Sequence, residues 1–467
     1  MKTSQNQGLN ISVRSFITAI VVIFCLMIAA YVLALTIPGG AYARIEDGSG
    51  NLILDTTADF VYVEGGLPFY KWILSPILVL GAAGSGTLIA VIAFLLVIGG
   101  VFNALDKCGL MAYILNKTAS RFSAVRYRLM AIIILFFMSL GSLIGSFEEC
   151  VPMVPLAVAL AVNLGWDRMT GVGMSLLAAG CGFAAGVCNP FTVGVAQQLA
   201  GLPMFSGLWL RALSFVMIYG LLLMFLRWYA KSIEKPLMAI QADIQYTPDK
   251  AMDRGMISFI AIMGLGIAIV LSSALIPSLQ DYTMIIVSVM FLAAGIVSVL
   301  SCGHTAKELG RDFWDGLTSI FPAVLMILMA SSIKYTLEEA RVLDTILHGA
   351  VDLAQTLPGW TVILFIYLTI LGMNFFIPSG SAKAFMLIPL IVPMAQIFGI
   401  SPQLCVVAFA FGDGFSNVFY PTNPALLIAL GLADVNYGDW FKWSGKFQIL
   451  NLALTSLILL FALPLGY

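Results

Sequence analysis

LIGSFEECVP, residues 143–152, sets Glu148 and Glu149 side by side between two apolar runs, MAIIILFF at 130–137 and MVPLAVALAV at 153–162. One carboxylate at mid-bilayer costs about 3 kcal/mol on an insertion scale, so an adjacent pair needs a polar destination inside the membrane. The apolar stretch 129–164 is too long for one span of about 20 residues, and GSFEE cuts it into two short limbs. Arg126 and Arg128 precede it and Arg168 follows it, so the positive-inside rule places both ends in the cytoplasm. The stretch therefore reads as a re-entrant hairpin with GSFEE at its tip. Non-helical backbone at that depth survives only against protein or a watery cavity, and the glutamates are expected at such a cavity.

Composition agrees with this reading. Of 467 residues, 60% are hydrophobic and 10% charged, far below the roughly 25% charged of a soluble domain, which implies a polytopic membrane protein. Lys plus Arg numbers 23 against 24 for Asp plus Glu, so there is no basic surface for nucleic acid. The seven cysteines are scattered without a CxxC and read as packing residues; His304 and His348 fall in polar connections. The run from Phe16 to Ile37 exceeds a signal-peptide core of about 7 to 15 residues and reads as a retained first span. Lys2 and Arg14 put its N-terminus in the cytoplasm. A polar outer segment, 38–75, and a span at 76–102 follow. The next connection, with Lys107, Lys117 and Arg121, is cytoplasmic.

A second hairpin occupies 361–399, with Lys383 in its broken tip IPSGSAKA. Each hairpin is followed by a span broken at Asn-Pro: 169–199 contains GFAAGVCNPFTVGVAQ, and 403–432 contains GFSNVFYPTNPALLIAL. One spacing of 234 residues relates Pro155 to Pro389, Gly165 to Gly399, Gly180 to Gly414, Asn189 to Asn423, Pro190 to Pro424 and Trp209 to Trp443. The same register sets Glu149 opposite Lys383 and Ser146 opposite Gly380. The chain thus divides into a first half, 1–228, a basic cytoplasmic linker, 229–255, and a second half, 256–467. Spans are expected at 256–276, 283–302 and 316–333. The second hairpin then enters from outside, giving inverted halves, nine full spans, two hairpins and an outer C-terminus. MAYILNKTASRF and LDTILHGAVDLAQT, each ahead of a hairpin, read as interfacial helices. Single cysteines at 55 and 337 are expected to label from outside, and those at 121, 243 and 308 from inside.

Inverted repeats, broken helices and facing tips are how secondary transporters build a mid-membrane site. Helix N-termini present amides to anions there, while unwound carbonyls hold cations. The motifs GSFEECVP, NPFTVGVAQQLAGLP, NFFIPSGSAKAFMLIP and FAFGDGFSNVFYPTNPALLIALGL resemble the YfcC-like branch of the C4-dicarboxylate anaerobic carrier family, within the ion transporter superfamily. The resemblance covers nearly all of the membrane chain. It implies an all-α, elevator-type carrier of the cytoplasmic membrane, a homodimer whose mobile site is formed by the hairpin tips and broken helices. Dicarboxylates gave the family its name, and arginine/ornithine exchange is attributed to some relatives. Where YPTS would be expected, this chain reads Tyr420-Pro421-Thr422-Asn423-Pro424, so the substrate is not carried over from the name.

The candidate substrate residues are Ser146, Glu148 and Glu149 on the first tip and Asn189, Pro190 and Thr192 at the first break. The second half adds Ser379, Gly380, Ser381 and Lys383 on its tip and Thr422 and Asn423 at its break. A coupling Na+ or H+ would use Asp413 and Asn417 with Asn189 and Asn423; no other cofactor is expected. Bland alternatives stand beside these roles. Glu149 and Lys383 can be a structural ion pair. Asn189 and Asn423 can be helix caps. Asp413 can serve loose backbone, and Arg211 and Arg227 read as snorkelling anchors. An enzyme is not expected, because no Ser-His or paired-Asp constellation lies in the spans, and a pore would call for rings of like groups rather than tips of opposite charge. A dianion would meet Glu148 and Glu149 as like charges, whereas an amino acid could turn its ammonium to them and its carboxylate to the second tip. An amino acid, with basic ones such as arginine and ornithine among the candidates, is therefore placed ahead of a C4-dicarboxylate.

Overall fold

Apolar runs interrupted by Gly and Pro give helices that stop where backbone hydrogen bonds can no longer be made internally, and the computed structural model of the chain has that form. It describes residues 13–46, 52–54, 59–82, 85–145, 147–203, 205–236, 247–273 and 283–467. Seven described helices are long and apolar enough to cross a membrane by length and composition, and they include limbs of both hairpins.

Helix α1 is Val13–Thr36. The outer segment folds into two small antiparallel sheets, Gly40–Ala41 with Val61–Tyr62 and Arg44–Glu46 with Leu52–Leu54. The span expected at 76–102 is instead two helices, α2 Phe69–Leu78 and α3 Ser85–Lys107. The first interfacial segment forms α4 Leu110–Phe122.

The first hairpin is α5 Arg126–Ser139, a π turn Leu140–Ile144, a left-handed Gly145 (φ 79°), a 3-10 turn Glu148–Met153 and α6 Val154–Asn163. The broken helix after it comprises α7 Arg168–Val172, a π turn Gly173–Leu177, α8 Ala178–Ala185, a break, a π turn Pro190–Gly194 and α9 Val195–Leu199. Helix α10 is Leu208–Ile233. The second half begins with α11 Lys250–Ser273, α12 Thr283–Ser301 and α13 Ala306–Glu339. At 34 residues α13 far exceeds the expected 316–333, because a capping box starts it early: Thr305 and Glu308 each satisfy the other's backbone amide. The second interfacial segment forms α14 Val342–Gln355. Then come the second hairpin, α15 Gly359–Phe376 and α16 Gly380–Ile397, and the second broken helix, α17 Pro402–Gly414, a 3-10 turn Phe415–Val418 and α18 Pro424–Leu432. Helix α19 is Tyr437–Ala462.

Both hairpins end in the same device. Gly165 and Gly399 are left-handed (φ 84° and 73°), and the next residue's amide reaches back five residues, Trp166 to Ala161 O at 3.0 Å and Ile400 to Ala395 O at 3.1 Å. Arg126 donates to Leu164 O and Lys235 O, joining the two ends of the first hairpin to the start of the linker. The end of the second hairpin lies elsewhere, where Ser401 donates to Tyr467 O and Gln403 to Ser206 O. At the linker end of the molecule Arg168 pairs with Asp434, and Lys117 with Asp253 at 2.5 Å. At the opposite end Arg44 grips Asp344 through two 2.9 Å bonds, and Tyr42 Oη meets His348 Nδ1 at 2.9 Å. His348 therefore sits on α14, stacked on Phe60, rather than in a polar connection.

The broken helices pack directly on each other. A Cβ added to Gly414 would fall 2.3 Å from Ala184 Cα, so only glycine admits this approach. Three of the five labelling positions expected from sequence are replaced or dropped. Leu337 is fully buried and cannot be labelled, while residues 55 and 243 lie outside the described residues.

Candidate functional site

Lys383 lies in the first turn of α16, fully buried. A buried ammonium must have its charge and all three hydrogens met. Its Nζ donates to Asp413 Oδ1 at 2.6 Å, to Ile377 O at 3.2 Å and to Asn374 Oδ1. The ion pair of Lys383 is thus with Asp413, itself fully buried, and not with Glu149. The 234-residue spacing pairs Glu149 with Lys383 in sequence, but α16 packs on α17, which carries Asp413.

Asn374, at the end of α15, joins this pair to the second break. Its Nδ2 shares two hydrogens among Asp413 O at 2.9 Å, Ser416 Oγ at 2.6 Å and Asn417 Oδ1 at 2.9 Å. Asn417 Oδ1 also accepts from Asn423 Nδ2 at 3.1 Å, and Asn423 Oδ1 accepts from Ala425 N at 2.9 Å. Asn423 therefore caps α18 and also belongs to the polar network. Asn189 has the corresponding cap, Oδ1 accepting from Thr192 N at 3.3 Å.

On the first tip Glu148 and Glu149 open the 3-10 turn, half-buried, and this turn packs on α18. Ser146 lies outside the described residues, and Pro190 begins the π turn after the first break. Gly380 brings the second tip against the first break: a Cβ there would fall 2.5 Å from Thr192 Cγ2 and 2.7 Å from Asp413 Oδ2. Ser379 precedes α16 without a side-chain cap bond, so the first amides of this 18-residue helix, those of Gly380 and Ser381 among them, have no intrahelical acceptor. Glu149 Oε2, Thr192 Oγ1, Asp413 Oδ2 and Thr422 Oγ1 are buried without a hydrogen-bond partner. Native interiors rarely leave such atoms unpaired, and these four, on the first tip, the two breaks and the end of α17, are the polar atoms a ligand at the candidate site would meet. Gly380→Ala, which drives a methyl into Thr192 and Asp413, is expected to weaken substrate binding about tenfold, measured as the concentration giving half-maximal uptake.

The freed carbonyls of each break are held by the helix that follows. Arg211, on α10, is fully buried and donates to Val187 O at 3.3 Å and to Ser206 O at 2.9 Å, so it supports the first break and is no lipid-edge anchor. Ser142 Oγ accepts from Val187 N at 3.0 Å. On α19, Gln448 donates to Phe415 O at 3.1 Å, Trp440 to Val418 O at 2.8 Å and Tyr437 to Phe419 O at 3.0 Å. Asn374, Ser142, Arg211 and the α19 trio were not among the sequence candidates. Only Asn374 carried a signal, a lone amide inside an apolar run. Arg211→Ala takes the donor from Val187 O, while Ser206 O keeps Gln197 and Gln403; one half-buried carbonyl left unpaired costs about 1–3 kcal/mol, so the variant should melt below the wild type, with Arg211→Lys between them.

Comparison with known proteins places these residues in a wider group. The model of the family described as C4-dicarboxylate anaerobic carrier matches residues 16–464. "Putative basic amino acid antiporter YfcC" of Escherichia coli (strain K12) is 30% identical over 410 residues, covering 82% of this chain and 79% of that protein. An uncharacterized protein of Haemophilus influenzae is 25% identical over 76% of this chain and 71% of its own length. Among solved structures, the Alcanivorax borkumensis YdaH transporter is 17% identical, with a TM-score of 0.43 over 97% of this chain and 99% of its own. Neisseria gonorrhoeae MtrF, described as representing a class of antimetabolite efflux pumps, is 16% identical, with a TM-score of 0.44 over 96% and 94%.

Proposed function

This chain belongs to the C4-dicarboxylate anaerobic carrier family of membrane transporters, and from that premise we propose that it exchanges basic amino acids across the cytoplasmic membrane by alternating access. One observation carries the choice of substrate. Lys383 spends its charge on Asp413, while Glu148 and Glu149 have no ion-pair partner among the described residues. The carboxylates of the site that lack a cationic partner are therefore those of the first tip. Arginine or ornithine brings two cations and one carboxylate: the cations face the two glutamates, and the carboxylate faces the first amides of α16 with the Thr192 and Thr422 hydroxyls. This corrects the role first given to Lys383, whose three hydrogens are already engaged. The name of the E. coli relative, "Putative basic amino acid antiporter YfcC", points the same way. A C4-dicarboxylate, as in the family's name, is the second reading and requires the first tip to be protonated.

In this reading the halves are inverted repeats, the hairpins and broken helices move together as the elevator, and the carrier is a homodimer. The N-terminus is cytoplasmic and the C-terminus outside. Single cysteines replacing Glu339 and Asp352 should label from outside, and those replacing Arg121 and Glu308 from inside, in a background without native cysteines. Labelling of 121 and 339 from the same face would contradict the inverted arrangement. The substrate is tested by equilibrium competition on purified protein: arginine and ornithine should bind, succinate and acetate should not, and Glu149→Gln should weaken the basic amino acids about tenfold or more. Succinate binding strengthened by Glu149→Gln, with no response to amino acids, would reverse the assignment.

A further inference from the structure

The geometry points to Lys383 as a tethered cation: its ammonium fills a cage for one monovalent cation, so the second half of the site needs no inorganic ion. Three oxygens from three separate segments converge on Nζ: Asn374 Oδ1 at the end of α15, Ile377 O in the tip, and Asp413 Oδ1 on α17. This is a hard, all-oxygen donor set of one carboxylate and two neutral carbonyls, with a net charge of −1 that a single positive charge cancels. Asn374 is oriented from behind by its bonds to Asp413 O, Ser416 and Asn417, so the cage is built rather than incidental. It is also one-sided. At the same register in the first half stand Leu140, Leu143 and Ala179, with Glu149 in place of Lys383. The second oxygen of Asp413 is buried without a partner, packed beside Gly380, so a further acceptor stands next to the ammonium's place.

The inference rests on the proposed site for its location, but its test needs no transported substrate. Melting of purified protein is followed in NaCl, in methylammonium chloride and in choline chloride at equal ionic strength. The wild type should melt at the same temperature in all three. Lys383→Ala should melt lower in choline and recover by roughly 3–6 °C, saturably, with Na+ or methylammonium. Lys383→Ala/Asp413→Asn should not respond. If Lys383→Ala does not fold in choline, its yield of folded protein should return when it is extracted in either small cation. A wild type stabilised saturably by Na+ over choline to the same extent as Lys383→Ala would overturn the proposal. So would Lys383→Ala that neither cation stabilises or recovers. A wrong substrate assignment would leave these outcomes unchanged.

Discussion

Asn374→Leu is expected to lower transport by at least about 100-fold while leaving protein in the membrane, a change equivalent to about 2.7 kcal/mol. Leucine nearly matches asparagine in shape, so the substitution removes hydrogen bonds rather than volume. Lys383 loses an acceptor, and Asp413 O, Ser416 and Asn417 lose a donor, all at buried positions. Each stranded buried group costs about 1–3 kcal/mol, and one of those affected is an ammonium. The loss also disconnects the tip from the break, because Asn374 is the link between Lys383 and Asn417. Initial rates in proteoliposomes, with melting of the same preparation, provide the check. A rate within about twofold of wild type would remove this network from the transport site.

The second large effect is expected at the Asn-Pro breaks. Asn423→Ala and Asn423→Asp should both lose transport by about 100-fold or more, though as helix caps aspartate and asparagine are nearly equal and alanine costs only about 1 kcal/mol. The distinction lies in the donor: Asp413 and its neighbours are tied to Asn423 through Nδ2 and Asn417 Oδ1, which an aspartate cannot reproduce. Asn189→Ala and Asn189→Asp should follow the same pattern. Wild-type rates for Asn423→Asp would make that residue a cap and move the site elsewhere.

The hairpins and breaks were readable in the sequence because charge and proline interrupt long apolar runs, and lipid tolerates neither without a protein partner. Helices and turns run over 126–163 and 359–397, and helical structure is interrupted just before Pro190 and Pro424. The pairing of Lys383 was not readable. Its partner lies 30 residues away, on an element whose contact is set by packing, and repeat register pointed to Glu149 instead. Arg211 misled for a related reason. An arginine near the end of an apolar run resembles a lipid-edge anchor until the carbonyls of a break 24 residues earlier are seen beside it. The outer sheets and the start of α13 depend on turns and a cap that hydropathy does not register.

Counterflow decides the central claim. Proteoliposomes loaded with unlabelled arginine, diluted into a trace of labelled arginine, should accumulate label transiently and saturably. Ornithine inside should substitute for arginine, succinate should not, and Glu149→Gln should require a higher concentration for the same overshoot. An overshoot driven by internal succinate, with labelled succinate outside and no response to any amino acid, would contradict the account, as would a conductance that never saturates.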